Sequence, residues 1–99
     1  MNMLCLDRPL PAATPERYQP YLHEEIRHIW GLCKKGVVRD IDFRQDRPGV
    51  AVFFECETTD EARQIFSEFP LFKAGLIECD VIPLGPFVNW ELLFVQDGK

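Results

Sequence analysis

No apolar run in this 99-residue sequence approaches the roughly 20 residues that a membrane span needs, so a soluble chain with no membrane partner is expected. The four cysteines include no C-x-x-C pair, the spacing that most often marks a redox or zinc site. Three of Cys5, Cys33, Cys56 and Cys79 lie in apolar strand patterns. They read as reduced core residues and not as reactive thiols or metal ligands, so no metal is expected on them. Positive charge is in short supply: 11 Lys and Arg stand against 16 Asp and Glu, a formal charge of −5, and the basic residues are scattered. A nucleic-acid binder needs a basic stripe to displace counterions from phosphates, so nucleic acid is not an expected partner. Residues 1–10 are too short for a signal peptide and already carry Asp7 and Arg8, which points to a cytoplasmic protein. Internal repeats, linkers and low-complexity segments are missing too. The chain therefore reads as one domain over residues 1–99, with 85–99 as a C-terminal extension.

What is present is a hydrophobic content of 46%, with eight Phe and two Trp. That is enough for one core, yet thin enough that a second copy of the chain would help to bury apolar surface. The organising stretch is 18–44. At about 100° per residue, Tyr18, Leu22, Ile26, Ile29 and Cys33 share one side of a helix, with Tyr21 and Leu32 at one margin and Trp30 at the other. Glu25 falls inside this apolar stripe, and His28 sits at the margin beside Tyr21. His23, Glu24, Arg27, Lys34 and Lys35 lie away from the stripe's centre, and Gly36 stops the helix. The strand 37–44 follows, with Val37, Arg39, Ile41 and Phe43 on one side and Val38, Asp40, Asp42 and Arg44 on the other. A charge in a core-facing position costs several kcal/mol unless it is paired or lines a cavity. Glu25 and Arg39 are therefore the first place to look for function.

Around this stretch the pattern is regular. Residues 3–6 form a short strand cut off by Arg8-Pro9-Leu10-Pro11. Thr14-Pro15 begins the first helix, and Pro20 either kinks it or delays its regular part to Gln19. Residues 45–49 make a turn into the apolar strand 50–57. Thr58-x-x-Glu61 is a capping box, followed by Ala62, Ile65, Phe66 and Phe69 at helical spacing up to Pro70. A last strand spans 76–82 and is closed by Pro83. Residues 87–94 read as a helical turn that lays Trp90 and Phe94 on a surface, and residues 96–99 are expected to fray. Strand, helix, strand, strand, helix, strand is an α+β, ferredoxin-like split βαβ: a four-stranded antiparallel sheet with two helices on one face. Apolar residues on both faces of 50–57, Val52 and Phe54 against Ala51 and Phe53, predict a homodimer or a higher oligomer.

Phe69-Pro70-Leu71-Phe72, about ten residues before Val81-Ile82-Pro83-Leu84, resembles the helix end and last strand of the muconolactone isomerase family, small proteins of the dimeric α+β barrel type. The resemblance extends back through Gly36-Val37-Val38-Arg39, the strand 50–57 and the helix carrying Glu25, and so covers 22–84. It implies a cleft between helices and sheet in which a proton is moved and a double bond shifted in an unsaturated lactone, without a cofactor. By this resemblance Glu25 matches a family glutamate and Arg39 a family arginine. The chain departs from the catabolic members in having Asp40 and Asp42 where they carry histidine and tryptophan. It also departs in a longer 73–80 stretch and in the extension 85–99.

The chemistry follows from residue type. A desolvated Glu25 would serve as general base next to a carbonyl. Arg39 would grip a substrate carboxylate and steady a developing enolate. His28, one turn from Glu25, is a candidate second proton carrier, Tyr18 or Tyr21 would orient a carbonyl, and Ile41 and Phe43 would line the substrate site. Opposed to this stands a closed ion pair between Glu25 and Arg39 with no room for a ligand. The functions in play are thus a cofactor-free isomerase or proton-transfer enzyme on a small anionic unsaturated lactone or related carbonyl compound, and a non-catalytic dimeric small-ligand-binding or assembly domain. Fold analogy adds a third, a cofactor-free monooxygenase.

Overall fold

A computed structural model describes residues 1–94; the fraying expected of 96–99 lies outside the described residues. The elements are β1 (Asn2–Pro9), α1 (Pro15–Lys34), β2 (Val38–Phe43), β3 (Val50–Glu55), α2 (Thr59–Ser67), α3 (Pro70–Lys73) and β4 (Ile77–Leu84), followed by a 3-10 turn (Val88–Leu93). The strands form one sheet in the order β2-β3-β1-β4, every neighbouring pair antiparallel. α1 packs on β2 and α3, and α2 on β1 and β4. This is the ferredoxin-like α+β fold that the element order implies.

Alternation along the strands builds the core. Met3 and Cys5 on β1 face the helices, as do their partners Phe54 and Val52 on β3. α2 adds Ala62 and Phe66, and Phe69, Leu71 and Leu76 complete the layer. Phe69 is central, its ring centroid 4.8 Å from Phe66 and 6.1 Å from Phe54. Burying a ring of this kind contributes roughly 1.5–3 kcal/mol. Local signals set the helix starts: the hydroxyls of Thr14 and Thr58 accept from the N–H groups of Arg17 and Glu61, both at 3.1 Å. Pro20 leaves α1 unbroken, because a proline near the N-terminus removes a single backbone bond.

Several expectations change. β1 runs on to Pro9, because beyond Leu6 it pairs with β4 alone and needs one ladder instead of two. β4 continues through Pro83, which an edge strand tolerates. The second helix ends at Ser67, and Pro70 starts a new helix as its first residue. The buried face of α1 is centred on Glu25, flanked by Tyr18, Leu22, Ile29 and Leu32, whereas Ile26 points to solvent. The final turn forms, but Trp90 and Phe94 are 62% and 82% exposed and do not lie on the body.

The change with most consequence is in β2. Its register shifts between Val38 and Asp40, which makes Arg39 the extra residue of a β-bulge. Val38, Ile41 and Phe43 stand opposite Phe54, Val52 and Val50, on the helix side. Arg39 drops out of that series and is exposed, so strict alternation from residue 37 grouped it wrongly with Ile41 and Phe43.

Gly49, in the turn between β2 and β3, has φ 139°, and a Cβ there would lie 2.8 Å from Asp7 Oδ1. Gly31 on α1 has open space around it. Gly49→Ala is expected to lower stability by about 1–3 kcal/mol. Gly31→Ala is expected to raise it by roughly 0.5–1 kcal/mol through a smaller loss of chain entropy. Urea midpoints of the two variants would move in opposite directions from the parent.

Candidate active site

Glu25 is 7% exposed and, among the described residues, is the only charged or polar residue in the buried class. Its Oε1 accepts a hydrogen bond from the Leu71 backbone N–H at 3.0 Å. Leu71 is the second residue of α3, whose first N–H groups have no partner within the helix. Phe69, in the capping position, makes no side-chain cap, so a glutamate from α1 supplies the acceptor. Burial pushes the Glu25 carboxyl up, the Leu71 bond pulls it down, and the negative charge of Asp7 pushes it up again. The net shift is upward.

Asp7 follows Met3 and Cys5 on the helix side of β1. Its Oδ1 accepts from the Val50 N–H at 2.7 Å, and the missing Cβ of Gly49 is what lets it approach the turn. Burial raises this carboxyl, against the Val50 bond and the positive charges of Arg44 and Arg47, and the balance is again upward. Tyr18 on α1 is pushed up by burial first and then by the charges of Asp7 and Glu25. The two acids and the phenol therefore act on one another in the layer between α1 and the sheet. Arg44 stands beside Asp7, its Nε and Nη2 held by Asp46 at 2.9 and 2.6 Å. Its Nη1 is buried with no hydrogen-bond partner among the described residues. Two carboxyls held above their ordinary range, with a phenol and a guanidinium nearby, are groups of the kind that transfer protons.

The residues singled out from the sequence divide. Glu25 and Tyr18 belong to this layer. Arg39 does not reach it: the bulge turns it to solvent, and it makes no ion pair or hydrogen bond with Glu25 among the described residues, so neither the open nor the closed form of the expected pair is present. Ile41 is half-buried on the helix side, whereas Phe43, at the end of β2, is 79% exposed. His28 and Tyr21 line a separate groove of about 720 Å³ between α1 and α3, together with Glu24, Arg27, Glu68 and Lys73. The His28 ring packs edge-on against Phe69 at 5.4 Å, and its Nε2 is buried without a partner among the described residues. Asp7 and Arg44 are absent from the sequence-based set. For Asp7 a signal existed: carrying the alternation of Met3 and Cys5 one step further puts a carboxylate on the core face. The cysteines are free thiols, with Cys5 and Cys56 buried.

No family model and no curated protein matches this chain. Solved structures do match. One is 5-chloro-2-hydroxyhydroquinone dehydrochlorinase from Burkholderia phenoliruptrix AC1100, in complex with 2,5-dihydroxybenzoquinone. It has a TM-score of 0.71 at 17% identity, with 90% of this chain and 98% of that chain covered. A likeness at that identity speaks to fold and carries no reaction with it. It gives this chain the ferredoxin-like α+β fold and does not show membership of the muconolactone isomerase family.

Proposed function

We propose that this chain is a cofactor-free isomerase or other proton-transfer enzyme acting on a small, anionic, unsaturated lactone or related carbonyl compound. The observation that carries this reading is the pair of acids, Glu25 and Asp7, each raised chiefly by burial. Glu25 as carboxylate removes a proton from a carbon beside the carbonyl, and the C–H electron pair moves into the enolate. The resulting carboxylic acid returns the proton to another carbon of the conjugated system, so the double bond shifts and the enzyme ends as it began. Arg44, whose Nη1 has no hydrogen-bond partner among the described residues, takes the role expected of Arg39 from its chemistry, gripping the substrate's carboxylate or the enolate oxygen. Tyr18 orients the carbonyl and Asp7 acts as the second acid, whereas His28, in the separate groove, takes no part in this step. A cytoplasmic homodimer belongs to the same reading. The fold likeness supports small-molecule catalysis in general, since the matched dehydrochlorinase is named for a small hydroxylated ring compound and holds another.

One hydrogen bond favours a second reading. Glu25 caps α3 through the Leu71 N–H, a task that an acid can hold for structure alone. The chain would then be a non-catalytic small-ligand-binding or assembly domain.

Glu25→Gln separates the two, because the amide keeps an acceptor for Leu71 but cannot take up a proton. With muconolactone and related carboxylated butenolides as substrates, turnover is expected to fall by about 100-fold or more in this variant; turnover equal to the parent's would reject catalysis by Glu25.

Stability has a pH dependence of definite sign. Below the ordinary value of 4.5 the Glu25 carboxyl is protonated whether folded or not, and its contribution is complete. As pH rises through the raised folded value, the native state must ionise a buried group and that contribution is lost. Asp7 acts in the same direction. Urea unfolding between pH 4.5 and neutral is expected to show stability falling in the parent and falling less in Glu25→Gln. Glu25→Ala, which strands the Leu71 N–H, is expected to cost about 1–3 kcal/mol. A Glu25 carboxyl below 4.5 by carbon-13 NMR, with Glu25→Gln less stable than the parent, would favour the structural reading.

A further inference from the structure

Two of the four free thiols meet on the sheet. The alternation that buries Met3 on the helix side of β1 brings Cys5 there next, and on β4 it puts Cys79 on the same side, against the core. In the register of β1 with β4, Cys5 is opposite Val81 and Asp7 is opposite Cys79, so the two cysteines are diagonal neighbours on one face. Their side chains are in hydrogen-bond contact, with the Cys5 thiol as donor. The remaining thiols are placed differently: Cys33 is on α1, and Cys56, just beyond β3, turns its Sγ to the Thr58 carbonyl at 3.6 Å.

The two members of the pair are not equivalent. Cys5 is fully buried, whereas Cys79 is half-buried. The hydrogen bond from Cys5 pulls the Cys79 thiol down, burial and the charge of Glu78 push it up, the Arg63 guanidinium of α2 pulls it down, and Asp80 pushes it up. The net shift is downward. For Cys5 the same hydrogen bond acts in the opposite sense, and burial and the charges of Cys79 and Cys56 add to it against Arg63, so this thiol keeps its proton. A partly exposed thiol with thiolate character, beside a second thiol that is still protonated, is the arrangement in which one cysteine is oxidised and the other resolves it.

We propose that Cys79 and Cys5 form a peroxide-sensitive pair: Cys79 is oxidised first, Cys5 resolves it, and the disulfide so made ties the edge strand β4 to β1. The Cys79 thiolate attacks one oxygen of hydrogen peroxide; an S–O bond forms, the O–O bond breaks, and the other oxygen leaves with a proton as water. The Cys5 sulfur then attacks the Cys79 sulfur; the S–S bond forms, the S–O bond breaks, and the hydroxide leaves as water with the Cys5 proton. Two thiols are oxidised by two electrons and one peroxide is reduced to two waters. Once Cys79 is a neutral sulfenic acid, its charge no longer holds the proton on Cys5. Diagonal neighbours in a sheet stand about 7–8 Å apart at Cα, and a disulfide prefers roughly 5.5–6 Å, so the bond draws the two strands together. β4 can follow, because β1 is its only neighbour in the sheet. A bond made under such strain is readily reduced, which makes the link a reversible one. None of this depends on the chemistry of Glu25.

The test exposes the full, folded chain to hydrogen peroxide and reads intact mass, thiol content in urea and the disulfide found by peptide mapping. The mass is expected to fall by about 2 Da, thiol content to drop by half from the four of the reduced chain, and the mapped bond to join Cys5 to Cys79. Dithiothreitol is expected to restore the starting mass and all the thiols. Cys79→Ser is expected to lose thiols at least about tenfold more slowly than the parent. Cys5→Ala is expected to stop at the sulfenic acid, which dimedone labels at Cys79. Thiol loss in Cys79→Ser as fast as in the parent would overturn the proposal. So would a mapped bond from Cys5 to Cys56 or between two chains, or sulfinic acid at Cys79 in a parent whose Cys5 stays reduced. Should either variant fail to fold, the bond mapped in the unaltered chain decides the matter, because it requires no substitution.

Discussion

A carboxyl group taken out of water links the first helix to the start of the short helix α3. Glu25 lies at the centre of the buried face of α1, where an apolar residue would cost nothing, and its one hydrogen bond reaches the first turn of α3. α3 is four residues long, far too short to persist by backbone bonding alone. It is held between Phe69 and Leu71, which insert into the core, and Glu25, which satisfies an N–H that the helix cannot. One backbone donor does not repay the desolvation of an ionised acid, so the carboxyl remains raised. The same contact therefore both ties α1 to α3 and leaves Glu25 poised toward its protonated form.

The bulge in β2 decides the sign of that poise. Had β2 kept strict alternation, Arg39 would stand on the helix side, and a guanidinium beside Glu25 would pull the carboxyl down into a closed pair. The extra residue turns Arg39 to solvent, and the group that instead acts on Glu25 is a second acid, Asp7. Asp7 in turn is held by the Val50 N–H, at a turn where Gly49 leaves room for it, and the positive charges of Arg44 and Arg47 act on it. The layer therefore contains two acids raised toward their protonated forms and an arginine whose Nη1 has no hydrogen-bond partner among the described residues.

The outer surface follows a different logic. α1 carries exposed Ile26 and Trp30, the sheet is covered on one face only, and the chain ends its described part in an apolar arm. A body of this size cannot bury all of its large side chains by itself, and the remainder is concentrated along β4 and beyond it.

The local pattern of residues determined the elements and most of their faces. Periods of about 3.6 and 2, threonine caps at positions 14 and 58 and the apolar run of β3 are short-range features, and each acts on the backbone wherever the chain goes. Glu25 was legible for the same reason, as a charge inside a helical stripe. Arg39, Asp7, Arg44 and the role of Pro70 were not settled by pattern. Where a bulge falls depends on how β2 pairs with β3, how deeply Asp7 sits depends on the approach of the Gly49 turn, and Pro70 can end one helix or start the next. Register between strands, and the charge that lies nearest in space, arise from contacts between distant segments, so only the tertiary structure decided which groups stand beside the buried acid.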